Sequence, residues 1–446
     1  MTVSPFDSPL LSGLLQDGET AGLFSDAAAL AAMLEVEAAL ALAQGDCGLI
    51  PVEAAKAIGA AARGLTLDPA ALSAATAQDG VPVPALVAAL RKAVPAEHAP
   101  FVHWGATSQD IADTGLVLRL SQLADIFETR LRNLARLLLR MAEAHRATPM
   151  AAHTRMQQAT PTSFGLKAAV WLAPLLSHLE RLTQLRPRLL RLSLGGASGN
   201  LAALAPHGLA VEAKLAERLG LTVSPVPWHV SRDGLMEFAG WCTLVTGSLG
   251  KTGQDIALLS QNEISELRPG SGGGSSTMPN KANPVSAEVL IALARHAGGQ
   301  LGTLQQAAIA EYERSGAAWL IEWLSLPQIA AATGKALTTA TSLLDSLVID
   351  TARMRANIEA SNGLLLAEAA SFALAATMPR PQAQDLVKKA CATVLATGTH
   401  LFDVLATMTP VPDDWSTLKD PALHMGESAA LIDRIVESAQ ALGLES

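Results

Sequence analysis

The sequence predicts an all-α fold of three helical domains around a long central helix bundle. Three observations carry this prediction. The chain is rich in Ala and Leu, the strongest helix formers, and runs of alternating β-branched residues are absent. From Ile111 to Arg146 the residues Leu116, Leu120, Leu123, Phe127, Leu131, Leu134, Leu138 and Met141 recur at steps of three and four, one apolar stripe on a 3.6-residue period. Such a helix is roughly 54 Å long at 1.5 Å per residue, a rod that only a bundle can cover.

The other elements follow in order. Shorter helices, such as Ser25–Gln44 and Val52–Gly64, precede Ile111. Three long ones come after it: Ser163–Arg191, with Pro174 and Pro187 as expected kinks; Ser231–Leu267, with Ser231 as expected N-cap; and one from Pro284 past Ile309, with Pro284 in the first turn. A weaker pattern covers Leu326–Leu347. Short helices return over Asp350–Glu359, Leu364–Ala376 and Arg380–Thr397. The expected domains are therefore 1–110, 111–350 and 351–446. Leu192–Val211 carries no Asp, Glu, Lys or Arg, but its glycines, Pro206, Asn200 and His207 make it a loop between helices and not a membrane span.

Composition limits the function. A net charge of −9 argues against a general nucleic-acid binder. Half the residues are apolar and mean hydropathy is +0.29, an excess expected to be buried between subunits. Cys47, Cys242 and Cys391 are far apart and odd in number, which fits a reducing compartment, and no metal-ligand spacing is present. The segment Met1 to Gly18 has no basic cluster and is not expected to be a signal peptide, so a cytoplasmic protein is expected.

The most informative segment runs from Gly274 to Pro284, GSSTMPNKANP. It follows a glycine- and serine-rich stretch from Pro269, set between two long helices where a mobile lid is as natural as a linker. Main-chain N–H groups, Lys281 and Asn283 can gather around an anion at a helix N-terminus, with Ser275 and Ser276 on a glycine hinge. The residues alone leave an anion-binding catalytic loop and a structural turn equally open.

This segment resembles the signature of the fumarase/aspartase superfamily, GSSxMPxKxNP, at every fixed position. His103-Trp104-Gly105-Ala106-Thr107-Ser108-Gln109-Asp110, with Asp113 and Thr114, resembles that family's first substrate-binding loop. Thr154-Arg155-Met156-Gln157-Gln158-Ala159, with Pro161 to Gly165, resembles its second. The resemblance covers essentially the whole chain. It implies an all-α homotetramer in which three subunits build each active site, a small polycarboxylate substrate, no membrane or nucleic-acid partner, and no metal or organic cofactor. The reaction it implies passes through an aci-carboxylate carbanion held by fixed cations and N–H dipoles. It places the catalytic serine at Ser275, with Ser276 an open second candidate, and a carboxylate-binding pair at Lys281 and Asn283.

Within the superfamily, adenylosuccinate lyases carry a histidine where this chain has Arg155, and another that Asp79-Gly80-Val81 lacks. The run Glu313-Arg314-Ser315 to Trp319-Leu320-Ile321-Glu322-Trp323, together with Gly195 to Gly199 and Pro227-Trp228-His229, looks most like the bacterial 3-carboxy-cis,cis-muconate lactonising enzymes. That branch implies addition of the substrate's own carboxylate to C4 and protonation at C5, in aromatic-compound degradation. Ser275 and Lys281 are then the catalytic candidates, and His103, Thr107, Ser108, His153, Thr154, Arg155, Gln157, Ser276, Met278, Asn283 and Arg314 the substrate-binding ones. Two departures stand out. That branch usually reads HKRNP where this chain has Asn280-Lys281-Ala282-Asn283-Pro284, and Trp where it has Arg155. A shifted preference for the group at C3, such as a sulfonate, is the expectation. The other readings are fumarate-releasing β-elimination and a non-catalytic helical assembly protein.

Other features carry less. Gly247 to Thr252 hints at a phosphate loop but lacks its first glycine, since position 245 is Val245. Arg130, Arg132, Arg136 and Arg140 read as a solvated helix face. Glu263 reads as a buried helix residue or a support for the lid base. His229 is a weaker functional candidate than His103 or His153, and His178 reads as structural.

Overall fold

The computed structural model describes residues 3–270, 273–274, 278, 281–411, 415 and 417–445. Helices occupy 69% of it against 5% in strands, so the all-α prediction holds. Two short helices, α1 (Ser12–Leu15) and α2 (Gly18–Leu23), lead into α3 (Asp26–Asp46), α4 (Val52–Gly64), α5 (Pro69–Asp79) and α6 (Val83–Ala93). The long helices are α7 (Ser108–Ala144), α8 (Phe164–Leu189), α10 (Asp233–Leu259), α11 (Val285–Gln305) and α12 (Gly316–Asp345), with the short α9 (Gly208–Leu219) between α8 and α10. The C-terminal helices are α13 (Thr351–Glu359), α14 (Ala367–Ala375), α15 (Arg380–Thr397), α16 (Leu401–Met408) and α17 (Ser428–Ala441). The described residues also form three two-stranded antiparallel ladders: β1 (Pro149–Thr154) with β2 (Gln157–Ser163), β3 (Leu267–Arg268) with β6 (Val348–Ile349), and β4 (Gly273–Gly274) with β5 (Ala282–Asn283).

Local chemistry explains most boundaries. Ser25 caps α3 by accepting from Ala28 N at 3.2 Å, and Asp68 caps α5 by accepting from Ala70 N at 3.0 Å, with Pro69 in the first turn. Of the predicted α7 stripe, every member but Leu116 is buried. Helix α8 runs through both Pro174 and Pro187. Helix α10 begins at Asp233, two residues past the predicted Ser231 cap, and ends at Leu259, where Ser260 to Glu266 turn off. Helix α12 starts ten residues earlier than its apolar pattern suggests, because Ser315 accepts from Ala318 N at 3.2 Å and supplies an N-terminal cap.

The chain forms two compact units. One comprises Met1–Arg130, His178–Gly247 and Ala292–Thr338; the other comprises Leu131–Ser177, Ser248–Ile291 and Thr339–Ser446. In the first, α3 packs on α4 and α9, and Leu120, Leu123, Phe127, Phe238 and Trp241 are buried. In the second, Leu374, Val387, Val394 and Phe402 form a cluster closed by Trp415, whose indole N–H donates to Phe402 O at 2.9 Å. Among the described residues no helix is long and apolar enough to cross a membrane.

One surface prediction is corrected. Arg130 is not solvated: its guanidinium holds Asp17 through two hydrogen bonds, at 2.6 and 3.1 Å, and Glu19 through a third at 2.7 Å. A carboxylate placed on the N-terminal segment, invisible to helix periodicity, recruits it.

His178 is structural, as predicted, and makes stability depend on pH. Burial pushes its pKa down to about 4, with the Arg181 charge adding to the effect. Its folded value lies below its unfolded one, so the unfolded chain takes up the proton first as pH falls. Stability is lost from about pH 6.5 towards pH 4, by about 2 kcal/mol between pH 7 and pH 5. Denaturant unfolding at these two pH values should show that loss in the wild type and a smaller loss in His178→Gln.

Candidate active site

The first predicted segment leads into α7 in the first unit. His103 has a positive φ of 61° and its Nδ1 lies 2.6 Å from Glu37 Oε1, a carboxylate 1% exposed, so Glu37 orients its ring. Gln44 secures the next residue by donating to Trp104 O at 2.6 Å. Thr107 turns its N–H onto Asp110 Oδ2 at 2.9 Å, and Ser108 begins the helix. Arg314, which precedes α12, joins this segment: its Nε donates to Gln109 Oε1 at 3.1 Å and its Nη2 to Gly196 O at 3.3 Å. The structure thus brings His103, Thr107, Ser108 and Arg314 onto one connected frame. Among the described residues the Arg314 side chain has no carboxylate partner, and it is exposed, so its guanidinium is open to an anion.

Beneath this frame lies a buried ion triad. Arg232, 4% exposed, donates to Asp113 Oδ2 and Oδ1 at 2.6 and 3.0 Å and to Glu322 Oε1 and Oε2 at 2.7 and 2.6 Å. Its guanidinium also sits 4.7 Å from the centre of the Trp228 ring. Burial opposes its charge, yet the two carboxylates hold its pKa above the ordinary arginine value. Burial drives the Glu322 carboxyl up, and Arg232 offsets this only in part. Asp113 and Glu322 also border a cavity of about 630 Å³ walled by Trp319, Trp323 and Arg119. The two indoles pack with ring centres 5.0 Å apart.

The second and third segments lie in the other unit. The β1–β2 hairpin pairs Thr154 with Gln157 and His153 with Gln158, so its tip is Arg155–Met156, at φ 50° and 68°. Thr154, Arg155 and Gln157 are exposed and His153 is half-buried. On the glycine-rich side, Asn283 pairs with Gly273, Ala282 pairs with Gly274, and Lys281 N donates to Met278 O at 3.0 Å. Gly273 has no room for a side chain: a Cβ would meet Val285 Cγ2 at 2.6 Å. The glycine stretch is therefore anchored to the start of α11 at this point. Ser275 and Ser276 lie outside the described residues. Met278 and Lys281 are exposed and Asn283 is half-buried.

Some features were not foreseen. Glu263 is exposed, beyond the end of α10, and it is its carbonyl that binds, accepting from Arg353 Nη2 at 2.9 Å. The buried acid nearby is Glu266, fully enclosed, with one oxygen accepting from Asn357 Nδ2 at 2.9 Å. Burial raises its pKa, and Asn357, His153, Lys167 and Arg353 offset this in part. Gly247 to Thr252 lies inside α10, so no phosphate loop forms. The Arg232 triad has no local signal, since its partners stand 119 and 90 residues away.

An all-α chain with these three segments falls in a defined class. A family model described as Lyase matches residues 17–299, and the chain belongs to this family, within the fumarase/aspartase superfamily. It is 44% identical over 434 residues to the 3-carboxy-cis,cis-muconate cycloisomerase of Pseudomonas aeruginosa, covering 95% of each chain. It also resembles the crystal structure of 3-carboxy-cis,cis-muconate lactonizing enzyme from Pseudomonas putida, with TM-score 0.92, 40% identity and coverage of 98% of this chain and 100% of that one. The β-carboxy-cis,cis-muconate cycloisomerase from Acinetobacter calcoaceticus gives TM-score 0.91 at 33% identity, with coverage of 96% and 100%.

Proposed function

We propose that this chain is a cycloisomerase that converts 3-carboxy-cis,cis-muconate, or a close 3-substituted analogue such as 3-sulfomuconate, to a muconolactone in the breakdown of aromatic compounds. The observation that carries this reading is its similarity, along nearly its whole length, to enzymes bearing that name. In the reaction a carboxylate oxygen of the substrate adds to C4. That oxygen is already anionic, so no base is needed to activate it. The electron pair released becomes an aci-carboxylate, one proton is added at C5, and no fragment leaves. Ser275 delivers the proton. Lys281 and Asn283 hold the carboxylate at C6, where negative charge builds up, and the Ser276 and Met278 main chain supports it.

The remaining groups bind the rest of the substrate. His103, Thr107, Ser108 and Arg314 come from one subunit of a homotetramer, and His153, Thr154, Arg155 and Gln157 from another. The protein works in the cytoplasm. A guanidinium at Arg155, together with Ala282, relocates positive charge in the pocket and favours a sulfonate at C3.

Loss of muconate ultraviolet absorbance tests both statements. The 3-carboxy and 3-sulfo compounds should both be consumed, and Arg155→Trp should shift the ratio of kcat/KM by about tenfold or more towards the 3-carboxy substrate, about 1.4 kcal/mol of discrimination. No absorbance loss with any muconate contradicts the activity. An unchanged ratio contradicts the role of Arg155.

A further inference from the structure

Asp110 is 1% exposed, and both of its oxygens are fully used. Oδ1 accepts from Gly195 N at 2.8 Å and pairs with His229 Nε2 at 2.7 Å. Oδ2 accepts from Thr107 N at 2.9 Å and Gly196 N at 3.0 Å. One carboxylate therefore joins the loop before α7, the glycine turn after α8 and the segment before α10. The fit is close: a Cβ on Gly195 would lie 2.9 Å from His229 Cε1.

Arg314 rests on the same groups by two routes. Gly196 receives Asp110 on its N–H and offers its carbonyl to Arg314. Gln109 donates to His229 O at 2.8 Å and accepts from Arg314 through its own side-chain oxygen. Since a carboxylate only accepts, His229 Nε2 carries the hydrogen in its pairing with Asp110. His229 Nδ1 is buried with no hydrogen-bond partner among the described residues. The ring is thus used as a single donor, well away from solvent.

We propose that Asp110 and His229 form a positioning pair that sets the Arg314 guanidinium and the Thr107–Ser108 segment, anchored through the Thr107 N–H, at a fixed spacing for a substrate carboxylate. The pair touches no reacting atom. It selects the substrate by holding two anion-binding groups in register. The kinetic part of this inference rests on the cycloisomerase reading; the structural part does not.

His229→Gln keeps an N–H donor near the Nε2 position and His229→Leu removes it. His229→Leu should raise KM about tenfold while kcat stays within about threefold, and His229→Gln should recover most of the lost affinity. The effects of His229→Leu and Arg314→Lys should be strongly non-additive, whereas general destabilisation would give additive losses. Amide exchange at Thr107, Gly195 and Gly196 should quicken at least about tenfold in His229→Leu, without reference to turnover. Asp110→Asn, which keeps the shape, should give the same pattern if the leucine variant does not fold. Additive effects, unchanged exchange, or a glutamine variant as defective as the leucine one would overturn the pair's role. A wild type inactive on every muconate would instead remove the cycloisomerase reading and leave the exchange result to judge the frame.

Discussion

Ser275→Ala should lower the turnover of 3-carboxy-cis,cis-muconate by about three orders of magnitude, with the helical circular dichroism and the oligomeric state unchanged from the wild type. The size follows from the serine's proposed task. A positioned proton donor contributes roughly 10²–10⁴-fold, and a methyl group has no proton to give. The carboxylate-binding groups remain, so KM should change little. Lys281→Met should behave differently, raising KM and lowering kcat together, since its proposed task is to hold the carboxylate in the ground state and more tightly in the aci-carboxylate. Steady-state kinetics on both variants separates the two roles. Retention of more than about a tenth of the activity by Ser275→Ala would move the proton delivery to Ser276 or another group.

Arg232→Met is the substitution expected to cost most in stability, about 3–5 kcal/mol, because it leaves Asp113 and Glu322 buried without their cation. Removing the whole triad as Asp113→Leu, Arg232→Met and Glu322→Leu should cost far less than the single change, since no charge is then stranded. Denaturant midpoints for the single and triple variants decide this. A single variant within about 1 kcal/mol of the wild type would contradict the dependence of the buried carboxylates on this cation. The Glu322 carboxyl, raised by burial, gives a further check. Its folded pKa lies above its unfolded value, so its contribution is present at low pH and lost as pH rises through the folded pKa.

Periodicity and caps made much of the fold legible. The α7 stripe could be read because its residues repeat locally, and α4 and α15 span Val52–Gly64 and Arg380–Thr397, the bounds expected of them. The β1–β2 hairpin was not legible. Its tip uses Arg155 and Met156 at positive φ, where an Asn-Gly or Asp-Gly pair would have given the signal. The start of α12 was missed because its cap, Ser315, precedes an apolar pattern made irregular by Trp319 and Trp323. The site shows the same division. The motif residues announced themselves through contiguous sequence, whereas Glu37 behind His103 and Arg232 behind Asp113 are brought there by tertiary folding alone. His229 stands beside Trp228 in the sequence, but its tie to Asp110 spans 119 residues and no local pattern encodes it.

The most direct measurement of the central claim is product analysis after turnover of 3-carboxy-cis,cis-muconate in D₂O. Intramolecular addition with proton delivery to C5 predicts one lactone that retains every carbon of the substrate and bears one deuterium on the carbon beside the carboxylate. Cleavage into two products, loss of carbon dioxide, or a lactone without that deuterium would contradict it.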